Sequence, residues 1–140
     1  MNDTARGIRN NNPLNIRDSK DKFLGERSTD TDSAFKQFIS PAYGYRAAFC
    51  ILGTYLNRGL NTIDKIIRAW APPQDHNNTE AYIQHVCQFS HIERFKILNT
   101  NSGKDYIEIV KAMCRVETGV PANEADILSG FNMQRKIRKQ

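Results

Sequence analysis

Tyr45, Phe49, Leu52 and Leu56 recur at the spacing of one helical face, between a Ser40-Pro41 pair and Gly59. Serine is a good N-cap, proline is tolerated in a helix's first turn, and glycine takes the left-handed conformation that ends one. This order of start, apolar stripe and stop predicts a helix of about 17 residues. Thr62 caps a second, short helix carrying Ile63, Ile66, Ile67 and Trp70. It must end at Ala71-Pro72-Pro73, because neither proline donates a backbone bond. Asn77 with Glu80 reads as a capping box for a third helix through Phe89. Ser102 with Asp105 opens a fourth, which holds Tyr106, Ile109, Val110 and Met113 and stops at Thr118-Gly119. Asn123 caps a last one to about Phe131.

Up to about residue 40 the pattern is different. Leu14-Asn15-Ile16-Arg17 alternates apolar with polar, and Phe23-Leu24-Gly25 and Phe35-Lys36-Gln37-Phe38 are two further short apolar runs. Polar, turn-prone stretches from Asp18 to Lys22 and from Ser28 to Ser33 connect them. The expectation is a small N-terminal antiparallel β-hairpin of two or three strands. The fold class is then α+β and mainly helical. A chain of 140 residues is the size of one domain, and no linker cuts it, so residues 1–140 are read as a single domain. Arg135, Lys136, Arg138 and Lys139 form a basic C-terminal tail, about 132–140, read as a solvated end.

Several function classes drop out. The chain has no apolar run near the ~20 residues that a membrane-spanning helix needs. Asn2-Asp3-Thr4-Ala5-Arg6 leads straight into Asn10-Asn11-Asn12 without the apolar stretch of a secretory signal, so synthesis in the cytoplasm is expected. Cys50, Cys87 and Cys114 are widely spaced among helix formers and read as buried free thiols. His76, His85 and His91 lack the spacing of a zinc site, so no metal is expected, and no cofactor motif is present. Twenty Lys and Arg against fifteen Asp and Glu leave +5. Such a charge favours an anionic polymer, nucleic acid or bacterial cell wall, without choosing between them. No nucleic-acid recognition motif accompanies it.

Two segments are richer in ligand-binding groups than a connection requires. Arg6-Gly7-Ile8-Arg9-Asn10-Asn11-Asn12-Pro13-Leu14-Asn15-Ile16-Arg17 concentrates carboxamides and guanidiniums, which suit a polyhydroxylated, amide-bearing ligand. The same residues also suit plain turns. Between Trp70 and Tyr82 the chain brackets Asn77 and Asn78 with two aromatics, the elements of a saccharide-binding wall. A helical corner with both aromatics in the core explains that segment equally well. Arg9, Asn11, Asn12, Asn15, Asn77, Asn78 and Tyr82 are the candidate substrate-binding residues.

For catalysis Glu117 stands out, because it ends a helix beside an apolar face. A half-buried carboxylic acid there has its pKa raised by desolvation, as a general acid near neutral pH requires. A solvent-facing glutamate paired with Lys111 or Arg115 is the plainer alternative. Glu26, Asp30 and Asp32 lie on or beside the expected hairpin, and Glu26 is the candidate second catalytic carboxylate.

Taken together, the Arg6–Arg17 segment, Trp70-Ala71-Pro72-Pro73 and Asn77-Asn78-Thr79-Glu80-Ala81-Tyr82-Ile83 resemble a family of phage virion and prophage-like bacterial proteins called structural proteins. That family resembles the lysozyme-like peptidoglycan hydrolases. Asn11-Asn12-Pro13-Leu14-Asn15-Ile16-Arg17 is similar to the paired-Asn segment that enters the cleft-lining hairpin of bacterial glucosaminidases. Arg115-Val116-Glu117-Thr118-Gly119 is similar to the end of the catalytic helix in lysozyme-like enzymes. The resemblance implies a lysozyme-like domain, circularly permuted because no acid-bearing helix precedes Asn10. It further implies cleavage of peptidoglycan glycan strands by a muramidase, glucosaminidase or lytic transglycosylase that uses one glutamate, at the cell wall or in a phage particle. A non-catalytic virion or wall-binding structural module is the other reading. The residues leave open hydrolysis against transglycosylation, the bond cleaved and the oligomeric state.

Overall fold

The computed structural model describes residues 5–137. A single helical turn, α1 (Arg6–Arg9), lies where loop and strand were expected. The later helices follow the apolar spacing closely. α2 (Pro41–Asn57) starts behind Ser40 and buries Tyr45, Ala48, Phe49 and Leu52. α3 (Ile63–Trp70) is capped by the Thr62 hydroxyl, which accepts from Lys65 N at 3.2 Å. Beyond the prolines only a 3₁₀ turn, Pro73–Asp75, is formed.

α4 (Thr79–Ser90) is capped by Asn78, whose Oδ1 accepts from Ala81 N at 3.0 Å, while Asn77 turns back to donate to the Pro72 carbonyl. The expected cap is thus displaced by one residue. α5 (Lys104–Thr118) follows Gly103 at φ 75° and ends at Gly119 at φ 78°, both left-handed, as glycine permits. Asn123 caps α6 (Glu124–Asn132) by accepting from Asp126 N at 3.0 Å.

Packing makes these helices one layered core. α2 lies against α6, with the Phe49 and Phe131 rings edge to face at 5.1 Å. Gly130 permits that approach: a Cβ there would stand 2.7 Å from the Ala42 carbonyl oxygen. α5 packs on α4, and α4 on α3. Tyr106, Ile109, Val110 and Met113 of α5 are wholly buried in a cluster that runs from Leu14 to Ile137. Cys50 and Cys114 are buried, Cys87 is half-buried, and all three are free thiols. Among the described residues no helix is long and apolar enough to cross a membrane.

The N-terminal arm corrects the expected hairpin. Among the described residues its β pairing is confined to two isolated antiparallel bridges, Arg17 with Phe35 and Glu26 with Phe38. Side chains, rather than a ladder, hold the backbone here. Asn12 is wholly buried, donating from Nδ2 to the carbonyls of Ile16 and Lys36 at 2.9 and 2.8 Å and accepting from Ile16 N at 2.9 Å. Asp32 accepts a bidentate pair from Arg6 at 2.6 and 2.7 Å and a bond from Asn10 at 2.8 Å, which hold its carboxyl well below the usual carboxylate range. Lys36 is also buried, its Nζ donating to the Asp21 carbonyl at 2.6 Å and to Glu26 Oε2 at 3.2 Å. The polar connections wrap these buried groups instead of closing tight turns, so the three short apolar runs never align over more than one pair.

The basic tail is the second correction. Gln134 and Ile137 are buried, and Lys136 packs over Gly53 and donates to Thr54 Oγ1 at 3.2 Å. An apolar residue at 137 gives this segment a reason to dock on α2. Arg138 and Lys139 lie outside the described residues.

Asn12→Ala removes three buried hydrogen bonds at once and leaves backbone groups without partners. We expect a loss of about 3 kcal/mol of unfolding free energy, read by urea denaturation with an unchanged slope.

Candidate functional site

Glu117 sits in the last turn of α5, and the chain brings two distant donors to it. Its Oε1 accepts from Asn15 Nδ2 at 2.9 Å, and its Oε2 accepts from the Tyr82 hydroxyl at 2.8 Å. Asn15 arrives through backbone geometry. Its φ of 52° is left-handed, a conformation asparagine tolerates better than most residues. Gly7 leaves it room, since a Cβ on Gly7 would lie 2.9 Å from Asn15 Oδ1 and 3.4 Å from Thr118 Cγ2. Tyr82 arrives through the packing of α4 on α5, with its ring buried.

Burial raises the Glu117 pKa above the ordinary glutamate value. Hydrogen bonds from Asn15, Tyr82 and Trp70 and the charge of Arg17 oppose the rise without cancelling it. Tyr82 is pushed well above the ordinary phenol range, first by burial and then by the neighbouring carboxylate. It therefore stays protonated and remains a donor.

A cavity of about 420 Å³ opens onto Glu117. One set of lining residues, Asn15, Ile16, Arg17 and Phe35, comes from the N-terminal arm. Another, Ala69 to Pro72 with Asp75 and Asn77, comes from the end of α3 and the corner after it, and Ile51 and Tyr55 come from α2. Its size falls in the range of about 300–1,000 Å³ usual for small-molecule sites. Amides and aromatics share the lining, a mixture suited to sugar hydroxyls and apolar ring faces.

Of the residues picked out from the sequence, the structure brings Glu117, Asn15, Asn77 and Tyr82 together. Tyr82 serves Glu117 from behind rather than lining the cavity itself. The others lie elsewhere. Asn11 donates to the Phe38 carbonyl at 3.2 Å, Asn12 is enclosed by backbone, and Asn78 is a helix cap. Arg9 is exposed, with its carbonyl accepting from Arg27. Glu26 is bound to Lys36 and to Phe23 N, away from the cavity lining. Asp30 accepts from Asp32 N at 2.9 Å, and Asp32 is held by Arg6. Trp70 is half-buried, packing on the core with one side and lining the cavity with the other.

Arg17, Phe35, Tyr55 and Asp75 are charged or aromatic lining residues that sequence reasoning missed. Arg17 and Asp75 stood inside the two amide-rich segments, where asparagine density drew attention away from single charges. Tyr55 is one residue off the apolar stripe of α2, and only the fold reveals what it faces.

The chain is 40% identical over 136 residues to Protein P5 of Pseudoalteromonas phage PM2, an alignment that takes in 94% of this chain and 82% of that protein. The chain belongs to this phage protein family. No family model matches it.

In this member of the Protein P5 family, the arrangement can hold a proton on a desolvated carboxyl and deliver it into the cavity. Among the described residues no three His, Cys, Asp or Glu converge as a metal site would require. The raised pKa also fixes the sign of a stability effect. Between the ordinary glutamate value and the raised one, the folded chain binds more protons at Glu117 than the unfolded chain does. Stability therefore falls as pH rises through that window. Glu117→Gln removes the titration. Its melting temperature relative to the parent should increase as pH rises above the ordinary glutamate value, measured by calorimetry at several pH values. A difference that stays flat would show that burial does not perturb this carboxyl.

Proposed function

We propose that this phage protein cleaves the glycan strand of peptidoglycan, with Glu117 as general acid, and that residues 1–140 act as one lysozyme-like unit. The observation that carries the reading is a largely buried glutamate with a raised pKa at a cavity lined by amides and aromatics. In this mechanism Glu117 protonates the leaving glycosidic oxygen. Tyr82 and Asn15 donate to the carboxyl and hold it in place. Asp75, the other carboxylate of the lining, supplies negative charge toward a developing oxocarbenium ion. Asn77 and Trp70 bind the sugar through hydroxyls and an apolar ring face. The site of action is the wall of the host bacterium.

Membership of a phage protein family supports a second reading, a non-catalytic virion module that keeps the saccharide groove.

Incubation with purified peptidoglycan, followed by mass analysis of soluble fragments, separates the two. Reducing ends indicate hydrolysis and anhydro ends indicate transglycosylation, and either supports cleavage. Glu117→Gln should lower release by about three orders of magnitude, the combined scale of acid catalysis and electrostatic stabilisation. Sedimentation with peptidoglycan and no fragments from the parent protein would favour the virion module. A folded Glu117→Gln variant that keeps half the activity would sink the acid assignment.

A further inference from the structure

Phe35 carries two guanidiniums of different standing. Arg6 lies 4.7 Å from the ring centroid and Arg17 lies 5.4 Å from it. Arg6 is neutralised by the bidentate pair to Asp32. Arg17 has no carboxylate within ion-pair distance among the described residues. Its backbone is bridged to that of Phe35, which sets both side chains on one face of the pair and holds the guanidinium against the ring. Among the described residues Arg17 is also the one cation in the lining of the Glu117 cavity.

The other charged lining groups are Glu117 and Asp75. An anion entering the cavity is therefore attracted at one point, the planar fork of Arg17, and repelled at the others. Arg17 and Glu117 line the same cavity, so both face one bound ligand. A guanidinium restrained on an aromatic face keeps its edge N–H groups available for a bidentate pair with a carboxylate. A neutral polysaccharide offers this fork only uncharged acceptors, whereas a carboxylate adds a charged, bidentate pair.

We propose that Arg17 forms a subsite for a carboxylate borne by the glycan beside the bond whose oxygen Glu117 protonates. This rests on the glycan reading of the cavity given above. In peptidoglycan that carboxylate comes from the lactyl group of a muramoyl sugar without its stem peptide, or from the stem peptide itself. The cavity accordingly reads the strand with a fixed direction, since the carboxylate goes to the Arg17 side and is kept away from Asp75.

The test uses the full chain and the fluorescence of Trp70, which is the single tryptophan and lines the cavity. Binding is then read without turnover. The probes are neutral chitooligosaccharides, peptide-free muramoyl glycan, and peptide-bearing muropeptides. The parent should prefer a carboxylate-bearing probe over the neutral one. Arg17→Gln should reduce that preference about tenfold or more, the scale of a charged hydrogen-bonded pair, and Arg17→Lys should fall between. A preference lost on the peptide-free glycan assigns the lactyl carboxylate, and one lost on muropeptides alone assigns the stem peptide. Unchanged preference in a folded Arg17→Gln variant overturns the subsite alone. A parent that binds none of the three probes overturns the glycan reading and the subsite with it.

Discussion

The Glu117 carboxylate, held by Asn15 and Tyr82, joins three parts of the chain that are otherwise far apart in sequence. The bonds span 102 and 35 residues. Each partner reaches Glu117 for a different reason: Asn15 through a left-handed backbone beside Gly7, and Tyr82 through the apolar packing of α4 on α5. Burial of the carboxyl is the result of all three elements closing together. A group so placed is costly to ionise, and hydrogen bonds offset only part of that cost. A desolvated acid beside a cavity is for that reason a candidate for function.

The N-terminal arm shows how a polar sequence can be ordered without a sheet. Asn12, Asp32 and Lys36 each lie inside a loop and satisfy backbone groups that a strand ladder would otherwise satisfy. This arm then presents Asn15, Arg17 and Phe35 to the cavity as a set. Arg6 and Arg17 share the ring of Phe35, and the difference between them lies in Asp32, which neutralises one and leaves the other charged. Structural and ligand-facing residues therefore alternate within a few positions of the same motif. Composition alone could not separate them.

Much of the helical fold was legible beforehand, because helix signals are local. Thr62 and Asn123 cap where they were expected to, Pro72-Pro73 ends α3, and Gly119 ends α5. The failures were also local in kind. Asn78 takes the cap assigned to Asn77, a shift of one residue between two neighbouring asparagines with equal capping ability. Alternation over three or four residues suggests a hairpin but is too little to specify register against buried groups such as Lys36. The charges of the tail point to a solvated end, while the buried Ile137 decides where it lies.

By itself the sequence determined a mainly helical chain, where its helices start and stop, and that Glu117 ends one of them beside an apolar face. Those follow from caps, breakers and periodicity, which act over one or two turns. Only the tertiary structure decided that Asn15 and Tyr82 meet Glu117, that Asn12 and Glu26 serve the arm, and that Arg17 and Asp75 share a cavity with the acid. Those facts depend on how elements pack across long separations, where a single left-handed residue or a missing Cβ sets which side chains can meet.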